Sequence, residues 1–210
     1  PPPGRMALAP MLDHGGRLIG DFTVACLADP FDGAETFLVL GSGVAEGYHQ
    51  RWFLQQVAEA TGTDGEPVSY RPLGHELAGL SLAGPAARDV LTAVAGDADV
   101  SSEGFRFRDV RRMDLGMVPT LVGRITFTGD LGYEMWVPAS LQQRLFDLLV
   151  EAGGPHGLRP FGLRALDSMR FDKGFGAWAS EYRPIYTPGE AGMDPFVALT
   201  TAAGTDRDFI

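Results

Sequence analysis

The sequence predicts an α+β protein, with antiparallel or mixed sheets and helices packed on them. Three observations carry this. Short stretches alternate apolar and polar residues between Gly, Pro and Asp clusters. Longer stretches repeat apolar residues at helical spacing and stop at glycine. The two kinds run in the order strand, strand, helix, then strand, strand, helix, with no sequence repeat clear enough to pair the halves.

Residues 18–27 read as a strand, with Leu18, Phe22, Val24 and Cys26 on one face and Asp21 and Thr23 on the other. A loop with Asp-Gly turn chemistry joins it to a second strand at 36–40. Gly41-Ser42-Gly43 leads into a helix over 44–60, carrying Tyr48, Trp52, Phe53 and Val57 and stopped by Gly62. Strands follow at 68–73 and 77–83. Gly84-Pro85 opens a helix bearing Ala87, Val90, Leu91 and Val94, and Gly96 closes it. Phe105 and Phe107 alternate with Arg106 and Arg108, which predicts a half-exposed strand over 105–110. Arg111 and Arg112 extend its basic ridge, read as a solvated outer face. Strands at 121–127 and 133–137 are joined by a tight turn at 129–132. Ser140 and Gln143 form a capping box before Leu141, Leu145, Leu148 and Leu149, in a helix ended by Gly153-Gly154. A last helix spans 160–173, and the remainder is loop-rich.

The 210 residues are 45% apolar and 21% charged, the balance of an ordinary globular protein. The single cysteine excludes an internal disulfide framework and a multi-cysteine zinc site, and makes a reducing compartment the default. Net charge is −10, against broad phosphate neutralisation on a nucleic acid. No apolar run approaches the ~18 residues of a membrane helix, and the start does not read as a signal peptide. Of the 17 basic residues only Lys173 is lysine.

Gly41–Gly47 lacks the spacing of a dinucleotide loop and the lysine of a P-loop, so it reads as a plain helix start. There is no G-x-S-x-G elbow, and the histidines are scattered, so no metal site is expected. Two carboxylates in apolar surroundings stand out. Asp21 sits mid-strand between Gly20 and Phe22, where Asp is disfavoured. Glu134 lies between Tyr133 and Met135, one strand step from Trp136. Such a carboxylate is either an ordinary exposed strand residue or an acceptor for the N–H edge of a flat heterocycle.

Four segments carry a family resemblance: MLDHGGRLIGDFTV (11–24), FLVLGSGVAEGYHQRWF (37–53), RITFTGDLGYEMWVP (124–138) and GLRPFGLRALDSMRFDKGFGAWASEYRPIYTPGEAGMDPFV (157–197). In this order they resemble the folate-binding domain of the aminomethyltransferase (glycine-cleavage T-protein) family. Gly-Asp-Phe-Thr, Gly-Ser-Gly and Glu-Tyr-Arg-Pro-Ile-Tyr look closer to its dimethylglycine/sarcosine dehydrogenase branch. The resemblance implies two intertwined lobes around a channel. It implies tetrahydrofolate as cofactor, with FAD on a domain absent from this chain. It further implies capture of the one-carbon unit of an N-methyl amine, delivered as an imine, as 5,10-methylene-tetrahydrofolate. A stand-alone aminomethyltransferase and a non-catalytic folate-binding protein are the alternatives. Neither a membrane nor a nucleic-acid partner is implied, and the expected location is the cytoplasm, or the mitochondrial matrix in a eukaryote.

By the same resemblance Glu134 falls on the glutamate that holds the pterin edge, and Asp21 on an acid that assists transfer. Gly20 stands where T-protein has a first acid, Gly41 where it has asparagine, Phe127 where it has tyrosine, and Leu166 where it has a pterin-contacting arginine. Tyr133 and Phe127 are implied to lie at the folate, with Arg164 or Arg170 standing in for the arginine. The expected organisation is a folate domain over 1–199, lacking its first part, with 200–210 beginning a C-terminal barrel domain.

Overall fold

A computed structural model of the chain describes residues 1–28, 35–61, 68–178 and 180–197. Among these lie strands β1 (Arg5–Leu12), β2 (Leu18–Cys26), β3 (Phe37–Leu40), β4 (Leu77–Ala83), β5 (Val110–Leu115), β6 (Val118–Gly123) and β7 (Gly132–Pro138). The helices are α1 (Glu46–Thr61), α2 (Ala87–Val94), α3 (Gln142–Gly153) and α4 (Leu163–Asp172). One sheet has the order β1-β2-β3 and the other β4-β7-β6-β5. The fold is α+β, as predicted. The chain divides into two compact units whose segments interleave along the sequence.

The first unit comprises Pro1–Ala7, Ala25–Leu38 and Gly74–Phe175. Its four-stranded sheet is antiparallel throughout. In β7, alternation puts Tyr133, Met135 and Val137 on the face covered by α2 and α3, all three fully buried. They pack with Val90, Leu91, Leu145 and Leu149, the apolar stripes of those two helices. The helix over 87–94 and strand 77–83 follow the sequence closely, because each stripe is amphipathic and bounded by Gly or Pro.

Several expectations are corrected. Residues 105–109 do not form a strand. Phe105 is a core residue while Phe107 is 61% exposed, and Arg108 takes a positive φ of 67°. The aromatic–basic alternation was a turn, and β5 begins where the predicted strand ended. The basic ridge is mostly solvated, as read: Arg106, Arg108 and Arg112 are exposed, and Arg111 is half-buried. Arg88 donates to the carbonyl of Val100, Arg111 to those of Asp99 and Gly104, and Arg124 to that of Phe105. Arginine forks thus fasten the 99–109 loop by its backbone. Arg111 also lies over the Phe105 ring at 4.5 Å.

The strand placed at 121–127 starts three residues earlier and ends four residues earlier, as β6. It pairs with β5 through the two-residue turn Gly116-Met117, both at positive φ (49° and 67°), the geometry that matches hairpin twist. An eight-residue loop, 124–131, replaces the predicted tight turn before β7. Thr126 Oγ1 bonds Asp130 O across this loop at 2.9 Å, and Lys173 Nζ pairs with Asp130 at 3.0 Å. The capping box does not form: a 3-10 turn at Ala139–Leu141 precedes α3, and no side chain caps it. Residues 160–162 stay outside α4, which starts at Leu163.

The second unit comprises Leu8–Val24, Val39–Leu73 and the described residues from Gly176 on. Met11, Ile19 and Phe22 are its buried centre, with Trp52, Phe53 and Trp178 packed around them. Residues 68–73 are not a strand. Pro72 cannot donate to a ladder, and Tyr70 instead stacks on Phe53 at 5.4 Å. Strand β1 was not anticipated from sequence. The Asp-Gly loop, the Gly62 stop and the 200–210 segment lie outside the described residues.

Candidate functional site

Glu134 occupies the face of β7 opposite the helices. Its directly opposed neighbours are Ser81 on β4 and Gly123 on β6. Opposed residues in antiparallel strands share a face, about 5 Å apart at Cβ. One step on, Trp136 opposes Gly79 and Leu121. A Cβ on Gly79 would lie 3.4 Å from Trp136 Cδ1, and one on Gly123 would lie 3.1 Å from Trp136 Cζ3. The indole therefore reaches from one glycine to the other, across the strand that carries Glu134. Met6 Sδ would stand 2.6 Å from a Cβ on Gly123, so the thioether fills that side.

The Glu134 carboxyl is half-buried, and no cation or hydrogen-bond donor among the described residues meets it. Burial pushes its pKa up to about 7. A carboxyl left unpaired at such a cost is what a site for an N–H-bearing ligand requires, since the ligand would supply the missing donors.

Asp21 belongs to the second unit, on β2. Burial raises its pKa to about 6, and a bond from its own backbone N–H partly opposes this. Next to it, the Phe22 ring lies against two glycines. A Cβ on Gly20 would meet its Cε2 at 2.6 Å, and one on Gly41 would meet its Cε1 at 2.5 Å. His49, 4% exposed, completes the packing with its ring 4.8 Å from that of Phe22 and its Nε2 2.8 Å from the Ile19 carbonyl. Burial lowers the His49 pKa, which keeps the ring neutral. Trp178 lies 5.3 Å from His49 and stacks on Tyr48 at 6.1 Å.

A side chain at 20 or 41 would run into the Phe22 ring, and at 20 into His49 as well. Gly41→Asn alone should cost about 1–3 kcal/mol, the usual penalty of overpacking. In a Phe22→Leu background the same change should cost at least about 1 kcal/mol less. Chemical denaturation of the four proteins measures this coupling, and additive effects would show that Phe22 is not the obstacle.

The other predicted site residues separate. Tyr133 sits on the opposite face of β7 from Glu134, fully buried and stacked on Phe105 at 5.8 Å, so it shapes the strand from behind. Phe127 and Arg170 come together, with the guanidinium 5.8 Å from the ring. Arg170 is 3% exposed, and its fork reaches Asp167 Oδ1 and the Phe175 carbonyl, each at 2.9 Å. That arginine fastens the end of α4. Arg164 is exposed on the same helix. Sequence reasoning passed over Ser81, Gly79, Gly123 and Met6. Their only signal was small residues interrupting apolar strands, and nothing in a single sequence says which strands are neighbours.

Among the described residues, no cluster of His, Cys, Asp and Glu could hold a metal ion. No helix there is long and apolar enough to cross a membrane.

A family profile described as GCVT N-terminal domain matches residues 1–201. The mitochondrial dimethylglycine dehydrogenase of Rattus norvegicus is 32% identical over 203 residues, which cover 97% of this chain and 22% of the relative. The mitochondrial sarcosine dehydrogenase of Homo sapiens is 30% identical, over 91% of this chain and 21% of its own length. The chain therefore spans about a fifth of these dehydrogenases. The glycine cleavage system aminomethyltransferase T of Bartonella henselae has the same fold, with a TM-score of 0.65 at 23% identity, over 89% of this chain and 45% of that one. With the family match extending from residue 1 to residue 201, the chain belongs to the GCVT N-terminal domain family, among the relatives of dimethylglycine and sarcosine dehydrogenases and aminomethyltransferases.

Proposed function

We propose that the chain is the tetrahydrofolate-binding, one-carbon-transfer part of an enzyme of the dimethylglycine/sarcosine dehydrogenase type. An FAD-containing oxidoreductase domain elsewhere would oxidise the N-methyl amine and deliver the imine. The observation that carries this reading is the unpaired, half-buried Glu134 beside the flat Trp136 indole. The mitochondrial relatives favour a matrix-type compartment in a eukaryote.

The residues present fit a pterin edge. An ionised carboxylate accepts two N–H bonds side by side, and a ring N–H next to an exocyclic amine offers two. Tetrahydrofolate, when bound, supplies the nitrogens that take up a one-carbon unit. Glu134 would hold and orient the heterocycle through its carboxylate oxygens. Trp136 would give its apolar flank a surface. Arg164, exposed on α4, would stand in for the family's pterin-contacting arginine, since Arg170 is held within its own unit. Asp21, with a pKa raised to about 6, is mostly ionised at neutral pH. It would stabilise a cationic imine, or accept a proton as the new bond forms.

Asp21→Asn separates binding from transfer. Tetrahydrofolate affinity should stay within about threefold, while methylene-tetrahydrofolate formation from an imine-generating partner should fall at least about a hundredfold. Titration followed by a single-turnover assay measures both. Undiminished transfer in the variant would remove Asp21 from the mechanism. A wild-type protein that binds tetrahydrofolate but transfers nothing would be a binder only.

A further inference from the structure

Glu134 has two directly opposed neighbours, and they differ in one decisive respect. On the Gly123 side, the space a side chain would occupy is filled by Met6 Sδ and by the Trp136 ring edge. On the other side stands Ser81, exposed, on the edge strand of the sheet. Gly79, two residues before it on the same face, is also exposed, and the Trp136 indole lies against it. Ser81 is thus the exposed polar side chain directly opposite Glu134 on this sheet face.

Ser81 is also unusual for its place. It interrupts the apolar run Leu80-Ser81-Leu82, and its hydroxyl has no hydrogen-bond partner among the described residues. A lone hydroxyl and a lone carboxylate on side chains whose Cβ atoms lie about 5 Å apart, on one sheet face, make a two-point polar reader. The carboxylate can only accept when ionised, whereas the hydroxyl can both donate and accept. Together they match a heterocycle edge in which N–H donors sit beside a ring nitrogen or carbonyl acceptor.

We infer that Ser81 is a ligand-contacting specificity residue, its hydroxyl bonding the part of the heterocycle edge next to the N–H groups held by Glu134. This rests on the folate reading above. It adds a residue from a different strand, one that resemblance to the family does not assign. Ser81 holds no reacting atom, so it sets affinity and selectivity, and the transfer step itself does not depend on it.

The experiment is tetrahydrofolate binding, by calorimetry, to the wild type, Ser81→Ala, Ser81→Thr, Ser81→Val and Glu134→Gln. Thermal unfolding of each protein checks the fold, which an exposed edge-strand position leaves intact. Ser81→Ala should weaken binding about three- to tenfold, the range of one hydrogen bond. Ser81→Thr, which keeps the hydroxyl, should stay within about twofold. Ser81→Val has the shape of threonine without its hydroxyl, so it should bind no better than Ser81→Ala. Binding lost in Glu134→Gln but unchanged in both Ser81→Ala and Ser81→Val overturns the role of Ser81 and leaves the folate reading standing. A folded wild type that binds no tetrahydrofolate overturns both. Weakening by threonine equal to that by valine assigns the effect to bulk and overturns the hydroxyl contact.

Discussion

Glu134→Gln should lower tetrahydrofolate affinity on the order of a hundredfold at pH 8, equivalent to about 2.7 kcal/mol lost with two charge-assisted bonds. It should also remove a pH dependence. The wild-type carboxyl titrates near 7 in the free protein, and only its ionised form accepts the ligand's N–H groups. Wild-type affinity should therefore fall as pH drops through 7, approaching tenfold per pH unit below it. The glutamine variant should show no such slope. Stability should move the other way. A carboxyl whose folded pKa is raised from 4.5 to about 7 favours folding when protonated. That contribution is complete below 4.5 and is lost as pH rises through 7. At pH 8 the variant escapes the cost of a buried charge, and should be more stable by about 2–3 kcal/mol, less whatever solvent already screens. Calorimetric binding and denaturant unfolding at pH 5.5, 7 and 8 test both halves. A variant that is both weaker-binding and less stable at pH 8 would contradict the account of Glu134 as an unpaired acid held for a ligand.

Among the described glycines whose added methyl would strike backbone, Gly132 should give the most damaging Gly→Ala change. A Cβ at Gly132 would lie 2.2 Å from the Leu82 carbonyl oxygen, 2.4 Å from Thr126 Cγ2 and 2.9 Å from Ala83 Cα. Two of these three obstacles are backbone of β4, the strand paired with β7 at that point. Relief requires the strands to part where the β4–β7 ladder begins, two residues from Glu134. The expected loss is more than about 3 kcal/mol, a fall of roughly 6–12 °C in Tm for a chain of this size. Thr126→Ala in the same chain should recover only part of it, because the β4 backbone remains. A Tm within about 2 °C of wild type would mean the edge strand yields freely.

The legible parts of the chain were those whose stabilisation is local. Strands β2, β4 and β7 and helices α2 and α3 each carry a period in their own residues, and that period alone buries them. The 105–109 turn was misread because Phe105-Arg106-Phe107-Arg108 mimics a strand period. In fact one ring enters the core, and the other is held outside by a loop that arginines far along the chain fasten. Strand β1 shows no clean alternation, and Pro10 interrupts it, so its state follows from the neighbouring β2. The site divides in the same way. Asp21 and Glu134 stood out as acids among apolar residues, a property of short stretches. That Glu134 faces Ser81 and Gly123, while Tyr133 faces the core, depends on which strands pair, and no single stretch encodes this.

The ion pair between Lys173 and Asp130 has a practical consequence. Lys173 is the sole lysine among 210 residues, and its side chain is anchored to the loop that leads into β7. Amine-directed reagents can therefore tag one side chain at a known place, besides the terminal amine, without mutating anything. Acylation there erases the cation, which frees Asp130 and loosens its loop. The reaction rate of that one amine becomes a gauge of how firmly the loop behind Glu134 is closed.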